Sequence, residues 1–112
     1  MPFTDFTQLP LKEIAPGFEA RFIHTENLTM AFVTIEKGSI LPEHFHFNEQ
    51  ITHVVEGQLE FTLNGETQIL ENGKVVIIPS NMPHSAIALS DCNVIDVFYP
   101  VREDYKALTD KD

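Results

Sequence analysis

Three histidines and a glutamine are the side chains of this sequence best suited to hold a metal ion. His44 and His46 stand two residues apart in an extended segment. Residues at i and i+2 of such a segment share one face, with their backbones about 7 Å apart, so both imidazoles can reach one ion. Gln50 has the same parity, and His84 follows a proline-containing turn. Together they predict a site for one divalent transition metal, and nickel, zinc, iron, manganese and cobalt all suit these ligands.

Two alternatives to a four-ligand site remain open. Pairs of histidines two residues apart also occur on solvated strands that bind nothing, although three of only five histidines fall at spacings suited to one cavity here. Gln50 either coordinates the ion or hydrogen-bonds to the backbone while the three histidines hold the ion alone. If all four ligands are neutral, the ion keeps its full +2 charge and favours anionic or carbonyl ligands.

A second group of candidate residues lies near the end of the chain. Asp96 interrupts an apolar run, where a carboxylate is costly to bury unless it faces a polar cavity, a partner or an ion. We therefore predict that Asp96 is a general acid or base, and that the planar guanidinium of Arg102 binds a substrate carboxylate. The alternative is a structural Asp96–Arg102 salt bridge. Thr52 shares the parity of Gln50 and is predicted to contact a ligand.

The elements that must position these residues are short strands. Alternating or apolar segments predict strands over residues 18–24, 28–36, 51–56, 58–63, 66–70, 75–78, 86–89 and 93–99. Asn64-Gly65 is a strong signal for a two-residue hairpin turn. Strands at this spacing are typical of an all-β, antiparallel double-sheet jelly roll.

We predict a single domain, 1–112, with three parts. An N-terminal edge strand over about residues 1–17 is expected to pair with a second subunit in a homodimer. The barrel core is predicted over about 18–100. A short tail, 101–112, is predicted to form no more than one helical turn.

Composition excludes several classes of partner. Seven basic residues against seventeen acidic ones give a net charge of −10, and no Lys or Arg cluster is present to bind nucleic acid. No apolar run approaches the roughly 18 residues of a membrane helix, and the first residues lack the pattern of a signal peptide. We expect a soluble, cytoplasmic protein with no membrane or nucleic-acid partner. Cys92 is the only cysteine, so an intrachain disulfide is excluded.

These spacings resemble the two motifs of the cupins. In this chain the first motif has glutamine in place of the family's glutamate and consists of Gly38, His44, His46, Gln50 and Gly57. The second motif has asparagine where the family has a glycine of positive φ, and it consists of Gly73, Pro79, Asn81, His84 and Ala88. The resemblance implies a double-stranded β-helix, the cupin jelly-roll barrel. It specifies the fold more than the chemistry, because cupins support many reactions.

A closer resemblance is to the pectin-degradation cupins of KdgF type. It rests on Gln50, on Ile-Pro-Ser-Asn before His84, and on Asp-x-Phe and Pro-x-Arg-Glu-Asp within 96–104. The resemblance implies a lyase or isomerase that linearises 4,5-unsaturated monouronates from pectin or alginate toward 4-deoxy-5-keto uronate, a small anionic sugar-acid substrate.

By the same resemblance, each candidate residue acquires a role. The ion would be held by His44, His46, Gln50 and His84. Asp96 would transfer the proton, Arg102 would bind the uronate carboxylate, and Phe98 would shape the pocket. Two other functions stay open: a metal-dependent dioxygenase, and a non-catalytic protein that binds a small metabolite.

Overall fold

Ten strands form two antiparallel sheets in the computed structural model, which describes residues 3–110. In chain order the elements are a 3-10 helix (Phe6–Gln8), β1 (Lys12–Ala15), β2 (Phe18–His24), β3 (Thr29–Ile35), β4 (Ile40–His44), β5 (Glu49–Glu56), β6 (Gln58–Leu63), β7 (Glu66–Glu71), β8 (Val75–Ile78), β9 (His84–Ala88), β10 (Cys92–Tyr99) and α1 (Glu103–Thr109). Sheet A has the order β1-β2-β3-β10-β5-β8, and sheet B has the order β4-β9-β6-β7. The predicted all-β jelly roll is confirmed.

Alternation along each strand decides which side chains face the interior. On β3 every second residue is buried, and on β6 Leu59 and Phe61 are buried, as expected for strands with one face on a core. The core between the sheets consists mainly of aromatic and branched aliphatic side chains, including Phe18, Phe22, Val33, Val54, Leu59, Phe61, Ile78 and Val94. One end of this interior is apolar, and the other carries the polar side chains that the sequence singles out.

The register between β5 and β10 brings two distant polar residues together. Asp96 pairs with Thr52 across the strands, and Phe98 pairs with Gln50. These pairs have inward parity, because Gln50, Thr52 and Phe98 are all buried. The ladder therefore sets Asp96 beside the strand that carries Gln50, although the two lie 46 positions apart in the sequence.

Two asparagines adopt the left-handed backbone conformation that tight turns require. Asn64 (φ 47°) and Gly65 (φ 86°) form the hairpin turn between β6 and β7, as predicted. Asn81 has φ 63°, the positive value expected where the family has glycine. The Asn81 N–H donates to the His46 carbonyl (2.7 Å), so this turn is bonded to the first histidine motif.

Both ends of the chain differ from the sequence-based expectation. The strand predicted over about 1–17 is confined to Lys12–Ala15, and it pairs with β2 of the same chain. Upstream of it the backbone turns into a 3-10 helix, because the Asp5 carboxylate accepts hydrogen bonds from the Thr7 N–H and hydroxyl groups. The first two residues of that prediction lie outside the described residues.

The C-terminal segment also carries more structure than expected. Instead of at most one turn, α1 forms a helix of seven residues. It is held against the barrel by Tyr105, whose ring lies 4.9 Å from that of Phe22 and 5.7 Å from that of Phe98. Residues 111 and 112 of the predicted tail lie outside the described part. No helix within residues 3–110 is long and apolar enough to span a membrane.

Gly57, which links β5 to β6, provides a test of the fold. It has φ 98°, and a Cβ there would lie 2.3 Å from the Asp91 carbonyl oxygen and 2.8 Å from Cys92 Sγ. Gly57→Ala should therefore lower the free energy of unfolding by about 2 kcal/mol or more, through both clash and backbone strain. Urea denaturation measures the loss.

Gly65→Ala is the matched control for this substitution. Gly65 has a similar φ of 86°, but a Cβ there would meet no atom within 4 Å, so only the strain of about 1 kcal/mol remains. Equal losses for the two variants would contradict the predicted clash at Gly57.

Candidate metal centre

Three histidines from different parts of the chain meet at the polar end of the barrel. His44 ends β4, His46 lies in the turn before β5, and His84 begins β9. His44 and His84 are direct partners in the β4–β9 ladder. The ligand atoms of the three imidazoles lie within 4.8 Å of one another, so the three histidines are positioned to hold a metal ion.

Backbone carbonyls select the tautomer of every one of these histidines. In each case Nδ1 lies near the carbonyl oxygen of a residue two positions away: His44 with Pro42 (2.8 Å), His46 with Asn48 (3.0 Å) and His84 with Met82 (2.8 Å). A carbonyl oxygen only accepts hydrogen bonds, so Nδ1 carries the proton and Nε2 presents a lone pair. This is the arrangement that metal-binding histidines require.

His84 provides the strongest indication that a cation belongs here. Its side chain is 2% exposed, and its Nε2 has no hydrogen-bond partner within the described residues. Burial lowers the pKa of His84 to about 4 and also lowers the pKa of His46, so both rings are neutral at pH 7. A buried nitrogen lone pair with no partner is costly, and a bound cation removes that cost.

Gln50 adds a second acceptor directed at the same place. Its side chain is 7% exposed, and its Oε1 lies 3.0 Å from His46 Nε2. Because His46 Nδ1 already holds the proton, two lone pairs face each other across this distance. Two ligand atoms about 2.1 Å from one ion and at right angles are also about 3.0 Å apart. The donor set thus fits a divalent cation, with Gln50 where a fourth ligand atom would lie.

A cavity of about 70 Å³ adjoins the histidines. It is lined by apolar side chains and by all but one of the residues that the sequence singles out, namely His44, Gln50, Thr52, His84, Asp96, Phe98 and Arg102. His46 does not line this cavity, but its Nε2 lies next to Oε1 of Gln50, which does. Thr52 is 2% exposed, and its hydroxyl lies between the Gln50 amide and the Asp96 carboxylate.

Asp96 is a half-buried carboxyl group with an altered proton affinity. Its Oδ1 accepts a hydrogen bond from the Thr52 hydroxyl group (2.7 Å). Burial raises its pKa to about 6, although hydrogen bonds from Thr52 and Gln50 and the charge of Arg102 oppose the rise. Such a group can both accept and return a proton near neutral pH.

Arg102 does not form the structural salt bridge with Asp96 that the sequence left open as an alternative. Its Nε and Nη2 donate to the two carboxylate oxygens of Asp104 (2.9 and 2.7 Å), so its ion-pair partner is Asp104 and not Asp96. The guanidinium carbon lies 3.9 Å from the ring centre of Tyr105 and 4.8 Å from that of Phe98. These contacts fix the guanidinium over the cavity, with the side chain 11% exposed.

Sequence reasoning missed Asn48, which links the two groups of candidate residues. Its carbonyl oxygen accepts from His46 Nδ1, and its side-chain Nδ2 donates to the carbonyl oxygen of Pro100 (2.6 Å). It is 2% exposed. Asn48 therefore ties the histidine turn to the segment that leads into Arg102. Nothing in the sequence indicates this, because an asparagine between strands is typical of an exposed turn.

Comparisons with known proteins agree with this arrangement. The family model of the cupin domain matches residues 31–98. The pectin degradation protein KdgF of Dickeya dadantii (strain 3937) is 32% identical over 101 residues, which cover 88% of this chain and 92% of that protein. The structure of KdgF from Halomonas sp. has a TM-score of 0.88 and 31% identity, and the match covers 94% of this chain and 98% of that one.

A third protein has the same fold with less sequence similarity. An RmlC-like cupin from Shewanella frigidimarina NCIMB 400 has a TM-score of 0.89 and 25% identity, over 94% of this chain and 96% of the other. With the family model matching more than half of its residues, and with KdgF proteins similar over most of its length, this chain belongs to the cupin family.

Proposed function

We propose that this cupin is a metal-dependent lyase or isomerase that opens the ring of a 4,5-unsaturated monouronate. One observation carries the proposal: the Asp96 carboxyl group, with a pKa of about 6, lines the same cavity as His44 and His84, two of the histidines that present unprotonated Nε2 atoms. The similarity to a protein named for pectin degradation supports an acidic sugar as substrate.

Asp96 has the position and proton affinity for the proton transfer. Ring opening removes the proton of the anomeric hydroxyl and breaks the bond between the anomeric carbon and the ring oxygen. The 5-keto group forms when C4 takes up a proton, so the reaction needs no oxidant or reductant. Thr52 donates to Oδ1 of the Asp96 carboxylate, and Asp96 lines the cavity beside the histidines. When bound by the histidines, a divalent ion would supply Lewis acidity toward a substrate oxygen.

Arg102 is suited to bind the carboxylate of the substrate. Asp104 uses the Nε–Nη2 edge of the guanidinium, so the Nη1–Nη2 edge remains for a second carboxylate. A local positive charge is needed, because a net charge of −10 repels anions at long range. The cavity volume of about 70 Å³ matches about two water molecules, so most of a bound monosaccharide would lie outside the cavity.

Turnover of unsaturated galacturonate, followed by NMR, tests this function. Asp96→Asn should lower kcat by about 100-fold or more, because it removes the proton-transferring group.

Arg102→Lys should raise KM by about tenfold, because lysine lacks the planar pair of donors. Loss of activity in EDTA and recovery with a divalent ion are also expected.

Asp91→Asn is the matched control for this assay. Asp91 is an exposed carboxylate just before β10, outside the cavity, and its substitution should leave kcat and KM unchanged. A wild-type rate no faster than the spontaneous reaction would overturn the proposal. Substrate-dependent oxygen uptake by the metal-loaded protein would indicate a dioxygenase instead.

The raised pKa of Asp96 also predicts how the metal-free protein responds to pH. A carboxyl with a folded pKa of about 6 against an ordinary 3.8 is penalised when ionised, so folding stability falls as pH rises from about 4 to above 6. The full difference of about two pKa units corresponds to roughly 3 kcal/mol. Metal-free Asp96→Asn should therefore be more stable than wild type at pH 8, by up to that amount.

Urea denaturation in EDTA at several pH values checks this prediction. The stability gap between Asp96→Asn and wild type should close as the pH is lowered through 4 to about 3, where the carboxyl is largely protonated in both states. A gap that does not change with pH, or a variant less stable than wild type at pH 8, would contradict it.

We further propose that the active form is a homodimer, joined through the outer face of sheet A. One row of outward residues crosses five strands in register and is wholly apolar: Ile23, Met30, Val97, Ile51 and Ile77. The next row is Arg21, Phe32, Ile95, His53 and Val75. Neither row contains any of the seventeen acidic residues.

Charge favours a second copy as the occupant of this face. Two chains of net charge −10 repel each other, and these rows allow contact without opposing carboxylates. Five strands about 4.8 Å apart span about 24 Å, and the two rows extend about 14 Å along the strands, so they cover on the order of 340 Å². Phe6 stacks on Phe32 of the second row (4.4 Å between ring centres), and Tyr99 beyond the first row pairs with Glu49, so this apolar face would be the centre of a standard interface of roughly 800 Å² per partner.

Sedimentation velocity tests the dimer directly. The wild type should sediment at about twice 12.7 kDa, and the double variant Ile51→Glu/Ile77→Glu should be monomeric. The matched control is Ile69→Glu/Ile87→Glu on the outer face of sheet B, where both isoleucines are also exposed but flank Glu60. A monomeric wild type, or dissociation by the control pair, would overturn this interface.

A further inference from the structure

A glutamine ligand raises a problem of orientation that a glutamate ligand does not have. The two ends of a side-chain amide are nearly equal in size, but only the oxygen presents a lone pair to a cation, whereas the nitrogen presents hydrogens. A Gln50 amide turned by 180° would direct its N–H groups at the cation site. Some neighbouring group must therefore select the productive orientation.

Hydrogen-bond polarity around Thr52 makes this selection, together with the Asp96 carboxylate, which also accepts from the Gln50 side chain. The ionised Asp96 carboxylate can only accept, so the Thr52 hydroxyl, 2.7 Å away, donates to it. With its hydrogen used, Thr52 Oγ1 accepts from the group on its other side. That group is Gln50 Nε2, at 2.8 Å. The opposite end of the amide, Oε1, is thereby directed at His46 Nε2, 3.0 Å away.

We propose that Thr52 is a positioning residue that directs the Gln50 oxygen toward the metal. Its side chain is 2% exposed, so water cannot readily replace its hydroxyl. Through its two hydrogen bonds Thr52 connects Asp96 to Gln50, and Thr52 itself would not coordinate the ion. This inference rests on the metal site of the proposed function, and it gives Thr52 a role other than contact with the substrate.

Metal affinity, not turnover, is the direct readout of this role. Calorimetric titration of the metal-free protein with Ni²⁺ at pH 7.5 should show that Thr52→Val, which keeps the shape but removes the hydroxyl, weakens binding about tenfold or more. Thr52→Ser retains the hydroxyl and should bind within threefold of wild type.

The same substitution in a Gln50→Glu background separates positioning from a merely structural effect. Both oxygens of a carboxylate can coordinate, so no orientation needs to be selected. Thr52→Val should then change the dissociation constant by less than threefold relative to Gln50→Glu alone. Thermal unfolding of each metal-free variant verifies that the comparison is made between folded proteins.

Each outcome of these Ni²⁺ titrations either supports or overturns the positioning role of Thr52. Equal weakening by Thr52→Val in both backgrounds would mean that Thr52 only supports the fold, and the inference fails. Binding by Thr52→Val within threefold of wild type also overturns the inference, while the proposed function stands. A wild type that binds no Ni²⁺ or other divalent ion overturns the proposed function as well.

Discussion

The site depends on one constraint: three imidazoles are held with their protons on the side away from the cavity. Each Nδ1 is bonded to a carbonyl oxygen only two residues away along its own chain. The lone pairs of Nε2 are therefore directed by local backbone geometry, and the barrel only has to bring the three segments together. Since the sheets supply that convergence through the β4–β9 ladder, coordination requires little rearrangement of the fold.

This arrangement lowers the stability of the metal-free protein. His84 Nε2 is buried without a hydrogen-bond partner in the described chain, and Asp96 is a carboxyl whose ionisation is resisted by burial. Each is unfavourable for folding, and both lie in a cavity whose remaining walls are largely apolar. A cation at the histidines would compensate the first directly and the second through its positive charge. At these two residues the stability of the metal-free protein and the proposed function are thus in opposition.

Local periodicity and motif spacing were enough to predict the fold and the convergence of the histidines. Alternation of period two identified most strands, and Asn64 and Asn81 adopt the predicted turn conformations. What could not be predicted depends on contacts between remote segments. The Arg102–Asp104 pair is local, but the placement of α1 over the barrel depends on contacts of Tyr105 with Phe22 and Phe98, and a seven-residue helix gives little sequence signal for them.

Asn48 is a second residue whose role could not be predicted from sequence patterns. Its importance comes from two bonds, one local and one to Pro100, a residue 52 positions away. Spacing rules detect side chains that share a periodic face, whereas a residue that joins two turns has no period. The expectation of an N-terminal strand failed for a local reason, because the Asp5 carboxylate caps a 3-10 helix and so competes with extension of the strand.

The register of β10 connects the candidate metal centre with the residues proposed for proton transfer and substrate binding. This strand lies between β3 and β5, and its seven-residue ladder with β5 sets Asp96 against Thr52 and Phe98 against Gln50. Side chains alternate with a period of two, so a shift of one residue would turn Asp96 to the outer face and Val97 into the cavity. The apolar rows on the outer face would then be interrupted by a carboxylate. The same register thus creates an apolar exterior and a polar interior, so the surface proposed for dimerisation and the chemistry proposed for the cavity depend on one pattern of alternation.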